Sequence, residues 1–483
     1  MRVGAGRFSS APRPRIRMRL ELGAIGEELA RLVGEMTVRL AVTGLSGAGK
    51  TVFITSLVHN LLSAASNANA LPGLRAAARG TLLGARIVSD AAIARRHFPY
   101  AQLIDSLATA PPRWPESTTG TSQIRLSLRT RTQHLLWRQL AALATLNLDI
   151  VDYPGEWLLD LPLLEKSFCE WSQETLALCR QEPRAAEARD WLDFIGAHGA
   201  ASAASEDVAR NASELYRAFL LRCREEHGLS FLQPGRLLSP GEFGGAPVLW
   251  FCPLQLAEGA TARPGTLHAM MESRFDAYKT QVVERFYREY FGRFDRQVVL
   301  VDVLRALDTG RHAFEDARAA LGAVLASFRF GRSHLLQRLL GGARIDKVLF
   351  LATKADHVTP AHYANLRQLL ERMMIDASLG MRFEGGAVET KIVAALRCTE
   401  LGTGVFDGKP VGMLVGTLVG EESPRVLFPG EVPPAPPEPA EWATSRPDFP
   451  AFRPPRVDAK PIAGMPQIGL DDALETLIGD KFP

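Results

Sequence analysis

An α/β fold with a mostly parallel central sheet, a large helical insertion and a Pro-rich C-terminal strap is predicted by three observations. Residues 43–51 read Thr-Gly-Leu-Ser-Gly-Ala-Gly-Lys-Thr, a glycine-rich turn between a strand pattern and a helix pattern. Apolar runs at 146–151, 297–303, 347–352 and 391–395 are separated by other patterns, mostly helical, as parallel strands joined by crossovers require. Between 157 and 296 that alternation stops and long helical segments take over.

The turn is the first element with chemistry in it. Val38, Leu40 and Val42 alternate as a half-buried strand does, and Val52-Phe53-Ile54 through Leu61-Leu62 carries helical spacing. Gly44, Gly49, Lys50 and Thr51 fill every fixed position of G-x-x-x-x-G-K-[ST]. The glycines let backbone N–H groups point at phosphate oxygens at a helix N-terminus, where the dipole also favours an anion. Lys50 can bridge the terminal phosphates and the Thr51 hydroxyl can ligate Mg²⁺. The bland alternative is a glycine-rich turn that binds nothing.

Length and composition set outer limits. A chain of 483 residues has room for two or three domains or one large α/β unit with insertions. The 56 basic and 53 acidic side chains, formally +3, carry no global signature of nucleic-acid or membrane binding. Arg2, Arg7, Arg13, Arg15, Arg17 and Arg19 make a basic arm before a leading helix, together 1–36. A solvated tail is its plain reading and contact with anionic lipid the functional one. No run approaches the roughly 18 apolar residues of a spanning helix, so a cytoplasmic protein, at most peripheral to the inner membrane, is expected. Cys169, Cys179, Cys223, Cys252 and Cys398 have neither metal-ligand nor disulfide spacing, which fits a reducing cytosol.

Beyond the first helix, the Ala-rich stretch 74–94 suggests more helix, and 111–115 (Pro-Pro-Arg-Trp-Pro) opens a loop holding Thr118, Thr119 and Thr121. Ile124, Leu126 and Leu128 mark a strand, and the next runs into Asp152-Tyr153-Pro154-Gly155. The first half of the nucleotide domain is therefore 37–156. The insertion, 157–296, carries helical patterns at 164–179, 207–226 and 267–291, with a Gly- and Pro-rich loop at 233–246. The second half is 297–420. In the strap, 421–483, prolines crowd 424–466, so that part is extended, and its Trp442, Phe449 and Phe452 are expected to pack onto the parent domain. A helix at about 470–477 closes the chain.

Two further motifs refine the ligand. Asp152-x-x-Gly155 puts a carboxylate within reach of Mg²⁺ through water and lets Gly155 approach the γ-phosphate. Thr353-Lys354-Ala355-Asp356 after a buried strand matches [NT]-K-x-D, whose carboxylate accepts two hydrogen bonds from guanine; adenine has no such donor pair, so an Asp there discriminates. The Lys354 stem would lie along the base and Thr353 would brace the loop. Ala394-Ala395-Leu396 stands where S-A-x would, without its Ser; backbone at 393–395 could still meet guanine O6.

The chain resembles the YcjX family of bacterial stress-associated P-loop proteins, related to the Era-like branch of the translation-factor GTPases. The resemblance rests on TGLSGAGKTVFITSLVHNLL (43–62), LDIVDYPGEWLLDLPLL (148–164), VVLVDVLRALDTG (298–310), FLATKADHV (350–358) and FPGEVPP (428–434). It implies a GTPase domain with a helical insertion, binding GTP or GDP with Mg²⁺. By position it implies phosphates on Ser46, Gly47, Ala48, Gly49, Lys50, Thr51 and Val52, and guanine on Lys354 and Asp356 beside His357. Part of the nucleotide edge falls on Trp114, Ser117 and Thr118.

The catalytic set is Lys50, Thr118 and Glu156, with Thr51 and Asp152 for the metal and Thr353, Val393 and Ala394 beside the base. Spacing leaves the switch threonine open among Thr118, Thr119 and Thr121. Glu156 stands where many GTPases carry a water-orienting Gln. A carboxylate there meets like charge on the γ-phosphate, so it is either a base or a structural residue turned away, and slow hydrolysis is expected. Arg113 and Arg125 flank the threonine loop, each either a cis arginine or a solvated surface charge. Three functions fit: a GTP-hydrolysing switch acting on an unidentified protein effector, in the cytoplasm or at a membrane; a GDP/GTP-binding scaffold with negligible turnover, which Glu156 favours; and a P-loop ATPase or kinase, against which Asp356 speaks.

Overall fold

The structure, a computed structural model, describes residues 35–88, 96–115, 120–131, 143–257, 259–330, 345–378, 387–406, 408–444 and 448–482. The arm and leading helix expected before residue 35 lie outside the described residues, as do Ser117, Thr118 and Thr119. The central sheet has seven strands: β1 (Glu35–Gly44), β2 (Leu82–Val88), β3 (Ser122–Arg131), β4 (Leu143–Asp152), β5 (Arg296–Val301), β6 (Lys347–Ala352) and β7 (Ala387–Ile392). Their order is β2-β3-β4-β1-β5-β6-β7. From β4 to β7 all neighbours are parallel, and β3 is antiparallel to both of its own.

Parallel strands must be covered on both faces, and the alternation along each strand shows how. Leu40, Val42, Ile150, Val298, Leu300, Leu349 and Leu351 point into one core with the helix Lys50–Ala64 and the C-terminal helix Leu470–Ile478. Ala41, Val151, Val299, Val301, Phe350 and Ala352 point into the other, which runs without a break into the inserted helices. There Trp171 stacks on Phe275 with ring centroids 5.0 Å apart and Trp191 packs on Tyr216 at 4.7 Å. The insertion therefore shares the core of the sheet.

Several elements differ from the sequence reading. The stretch 74–94 is helical only at Arg75–Ala78; Gly80 then turns in the left-handed region (φ 65°) and an edge strand, β2, follows. The first inserted helix starts at Phe168, not 164. Gly155–Glu165 is a 3₁₀ run with Pro162 inside it, and Ser167 with Glu170 forms a reciprocal cap that sets the start of the helix. The helix expected over 267–291 is Leu267–Tyr278, a π turn Lys279–Val283 and Glu284–Glu289 in succession. Strand β7 ends at Ile392, before the expected 395, because Ala394 leaves the ladder to pair with Ile468 of the strap. A small antiparallel sheet of β8 (Glu400–Phe406), β9 (Lys409–Gly416) and β10 (Arg425–Leu427) was not expected at all.

The strap packs back on the parent domain. Trp442 meets Phe314 at 5.6 Å, Phe452 is buried, and the Met465 N–H donates to Asn60 Oδ1 at 2.9 Å. Arg296, fully buried, anchors the closing helix: Nε donates to the Leu477 carbonyl at 2.9 Å, and the guanidinium pairs with Asp480 at 2.9 Å and Asp346 at 2.5 Å. Among the described residues no helix is long and apolar enough to cross a membrane.

Candidate functional site

The carboxyl ends of β1, β4, β5 and β6 carry Gly44, Asp152, Asp302 and Thr353 to one edge of the sheet, where open α/β sheets bind ligands. Gly47 and Gly49 sit at φ 79° and 81°, a region costly for any residue with a Cβ, and Gly49 caps the helix Lys50–Ala64 without a side chain over its N-terminus. Lys50, Thr51 and Val52 of that first turn line the cavity, so the helix N-terminus, which favours an anion, borders it. Lys50 Nζ stands 2.9 Å from Asp152 Oδ1 and donates to the Tyr153 carbonyl at 3.0 Å. Asp152, 1% exposed, also accepts from the Ser122 hydroxyl at 3.4 Å. The Thr51 hydroxyl and the Asp152 carboxylate are hard oxygen donors of the kind Mg²⁺ takes, and a carboxylate this buried already leans on a cation.

The other end of the site is built by the turn after β6. Lys354 adopts φ 59°, the one positive φ outside glycine among the described residues, and its Nζ lies 2.5 Å from Asp302 Oδ2. Asp302 also accepts from the Arg305 N–H at 3.0 Å, capping the helix Val303–Thr309. The Thr353 N–H donates to the Val301 carbonyl at 3.0 Å, and the Ala355 N–H to that of Val393 at 3.1 Å. Asp356, 3% exposed, accepts the Cys398 N–H at 2.7 Å on Oδ2, while its own carbonyl takes the Thr399 hydroxyl at 2.6 Å. These bonds hold the carboxylate against the cavity. His357 beside it is buried, which pushes its imidazole pKa down, and it meets Phe452 edge-on at 5.0 Å.

A single cavity of about 830 Å³ joins the two ends. Gly44 to Phe53, Trp114, Glu156, Thr353, Lys354, Asp356, His357, Val393 and Ala394 line it, so residues more than three hundred positions apart in sequence share one wall. Asp152 lies behind Lys50. The N–H groups of Val393 and Ala394 are both taken, by the Ala352 carbonyl at 2.8 Å and the Ile468 carbonyl at 2.9 Å. Arg125 is held two-pronged by Asp149, at 2.5 and 2.7 Å, and neither it nor Arg113 lines the cavity.

Several lining residues escaped the sequence reading. Arg217 and Arg224 come from the inserted helix Glu206–Glu225, Arg305 follows β5, and Phe452 comes from the strap. None of these had a local signal; Asp302, which stands behind Lys354 without lining the cavity, did, as an acidic residue ending an apolar strand between two motif-bearing ones. The segment that follows the acidic turn is tied to the rest of the insertion through Asp160, which accepts the Gly235 N–H at 2.8 Å and the Tyr278 hydroxyl at 2.5 Å, and through Trp157, whose indole N–H donates to the Ser239 carbonyl at 2.9 Å. Arg236 lies 3.2 Å above the Trp157 ring.

Strand order and the position of the cavity put the chain in the class of phosphate-loop α/β proteins with the GTPase fold. The family described as "YcjX-like family, DUF463" matches residues 38–482. The chain belongs to that family. It is 39% identical over 452 residues to the Escherichia coli K12 protein named Ras-like GTPase YcjX, covering 92% of this chain and 96% of the relative. It is 38% identical over 475 residues to the Shewanella oneidensis MR-1 protein of the same name, covering 94% and 97%.

Proposed function

We propose that the chain binds GTP and GDP, hydrolyses GTP slowly to GDP and phosphate with Mg²⁺, and serves as a stress-related switch in the cytoplasm. The observation that carries the guanine assignment is Asp356, a carboxylate 3% exposed and braced by Cys398 at the cavity wall. Buried polar groups discriminate because an unsuitable base leaves them unpaired, and guanine offers the two donors this acceptor needs. The Lys354 stem then lies along the base, with Asp302 fixing its ammonium. With the amides of Val393 and Ala394 engaged elsewhere, the contact to guanine O6 falls to the backbone at Ala395. The names of the relatives support the same reading.

At the phosphate end the amides of Ser46, Gly47, Gly49, Lys50, Thr51 and Val52 would receive the β-phosphate, the Ala48 N–H being given to the Leu45 carbonyl at 3.1 Å, and Lys50 would exchange Asp152 for phosphate oxygens. Thr51 and Asp152 would hold Mg²⁺, which supplies positive charge to the phosphate oxygens. Thr118 is the proposed switch threonine, and Trp114 with Ser117 borders the nucleotide. Because the turn Gly235–Leu238 of the insertion packs directly on Glu156, the residue after the acidic turn, the nucleotide state would set the face the inserted helices offer to a protein effector.

A scaffold with negligible turnover is the second reading, favoured by Glu156, whose carboxylate stands where a neutral Gln commonly orients water. Affinity for GDP, XDP and ADP, each with Mg²⁺, tests the base assignment on the native chain and Asp356→Asn. The expected result is a native preference for GDP that shifts toward XDP in the variant. Unchanged GDP affinity in Asp356→Asn, or a native preference for ADP, would overturn it. Phosphate release in single turnovers that depends on Lys50 rejects the scaffold.

A further inference from the structure

We infer that Arg217, carried by the helical insertion, is the arginine that stabilises the γ-phosphate during hydrolysis, so that the insertion completes the active site in cis. The proposal rests on the GTP-hydrolysing reading above and names a group that reading lacks.

Arg217, Arg224 and Arg305 are the arginines on the cavity wall among the described residues. Arg224 pairs with Glu225 at 3.0 Å. Among the described residues no carboxylate pairs with Arg217 or Arg305, so both guanidiniums keep donors for a ligand. Their places differ. The Arg305 guanidinium lies over Gly47, 2.4 Å from where a Cβ on that glycine would stand, and its helix is capped by the Asp302 that holds Lys354. It therefore belongs to the flank of the loop that faces the base.

Arg217 belongs to the other flank. Its Nε donates to the Leu237 carbonyl at 2.8 Å, which orients the fork and leaves the terminal nitrogens for a ligand. Leu237 is part of the turn Gly235–Leu238, which is built directly on Glu156: a Cβ on Gly235 would lie 2.1 Å from the Glu156 carbonyl oxygen. Leu238 and Ser239 of the same segment line the cavity beside Glu156. The arginine is thus mounted on the residue that follows the acidic turn, where the terminal phosphate is read.

The assignment also answers the charge problem at Glu156. A carboxylate facing the γ-phosphate raises the barrier unless a cation stands with it, and Arg217 supplies one from the same wall. In the step, an oxygen–phosphorus bond forms between water and the γ-phosphorus while the bond to the β–γ bridging oxygen breaks. The electron pair goes to that oxygen, giving GDP, and the water protons leave with inorganic phosphate and solvent. Arg217 exchanges no proton; it stabilises the charge that grows on the bridging and γ oxygens.

The test uses the full chain with Mg²⁺ and compares the native protein with Arg217→Ala, Arg217→Lys and Arg305→Ala. Three quantities are read: single-turnover GTP hydrolysis, GDP affinity, and formation of a GDP–aluminium fluoride complex. Arg217→Ala is expected to slow turnover by on the order of 10²-fold or more and to lose the aluminium fluoride complex, while GDP affinity changes less than about threefold. Arg217→Lys, which keeps stem and charge but not the fork, is expected to stay slow and serves if the alanine variant does not fold. Turnover within about twofold of native in Arg217→Ala, or a comparable loss confined to Arg305→Ala, would overturn the arginine while leaving the GTPase reading in place. A native protein that binds GDP without any turnover sinks both.

Discussion

Gly155 stands so close to Gly44 that a Cβ on Gly155 would lie 2.3 Å from the Gly44 carbonyl oxygen. The last residue of the acidic turn is therefore packed against the first residue of the phosphate loop, backbone to backbone. A shift in one is felt directly by the other, because neither has a side chain to absorb it. Gly155→Ala forces the two turns apart. It is expected to cost about 1–3 kcal/mol of stability and to weaken GDP binding together with it. Denaturant midpoints and a GDP titration check this; native values for both would mean the contact has no consequence.

Asp160 joins the segment after that turn to the insertion. Its buried carboxylate accepts from the N–H groups of Gly235 and Arg236 and from the Tyr278 hydroxyl. Asp160→Ala leaves three buried donors without that acceptor, a loss expected at about 3 kcal/mol or more. Exchange of the amides of 206–240 should accelerate in the variant. Protection equal to native in that stretch would show that the joint is dispensable.

Lys50 is half of a buried pair before any phosphate arrives. Lys50→Ala removes the cation beside the buried Asp152 carboxylate, so the variant should lose about 3 kcal/mol of stability in the absence of nucleotide as well as affinity in its presence. Adding Asp152→Asn should restore much of the stability and none of the affinity. If the double variant is less stable than Lys50→Ala, the pair does not carry this energy.

His59, in the helix that begins at the phosphate loop, bonds Tyr100 at 2.9 Å. Burial holds its pKa down, from 6.5 to about 4, against the opposing charge of Asp458. The folded chain keeps the imidazole neutral while the unfolded chain takes up a proton below its ordinary pKa. The stability contributed is whole above pH 6.5 and is lost as pH falls from there toward 4, by at most about 3 kcal/mol. Unfolding midpoints at about pH 7.5 and pH 5 should differ more in the native chain than in His59→Gln. Equal pH dependence in the two proteins would remove His59 as the cause.

The legible part of this protein was local. Glycines at 44, 47 and 49, Lys50 and Thr51 make a loop whose signal lies within residues 43–51, and the apolar runs at 297–303 and 347–352 announce a mostly parallel sheet. The misreadings were also local, but decided elsewhere. Residues 82–88, within the Ala-rich stretch 74–94 but with valine, isoleucine and leucines of their own, form an edge strand on β3. The hairpin of β8 and β9 carries an Asp-Gly pair in its sequence, but its strands are too rich in glycine to show an apolar face.

From the sequence alone came the phosphate loop, the acidic turn, the carboxylate at Asp356 and the expectation that they meet. Those residues stand at fixed short spacings, which a motif records. Only the tertiary structure decided that Asp302 holds Lys354, that Gly44 and Gly155 touch, and that Arg217 and Phe452 reach the same cavity. An arginine on a helix or a phenylalanine in a Pro-rich strap looks the same to a sequence whether it faces solvent or a ligand. Burial, crossover connections and the packing of the insertion on the sheet make that choice, and they depend on the whole chain at once.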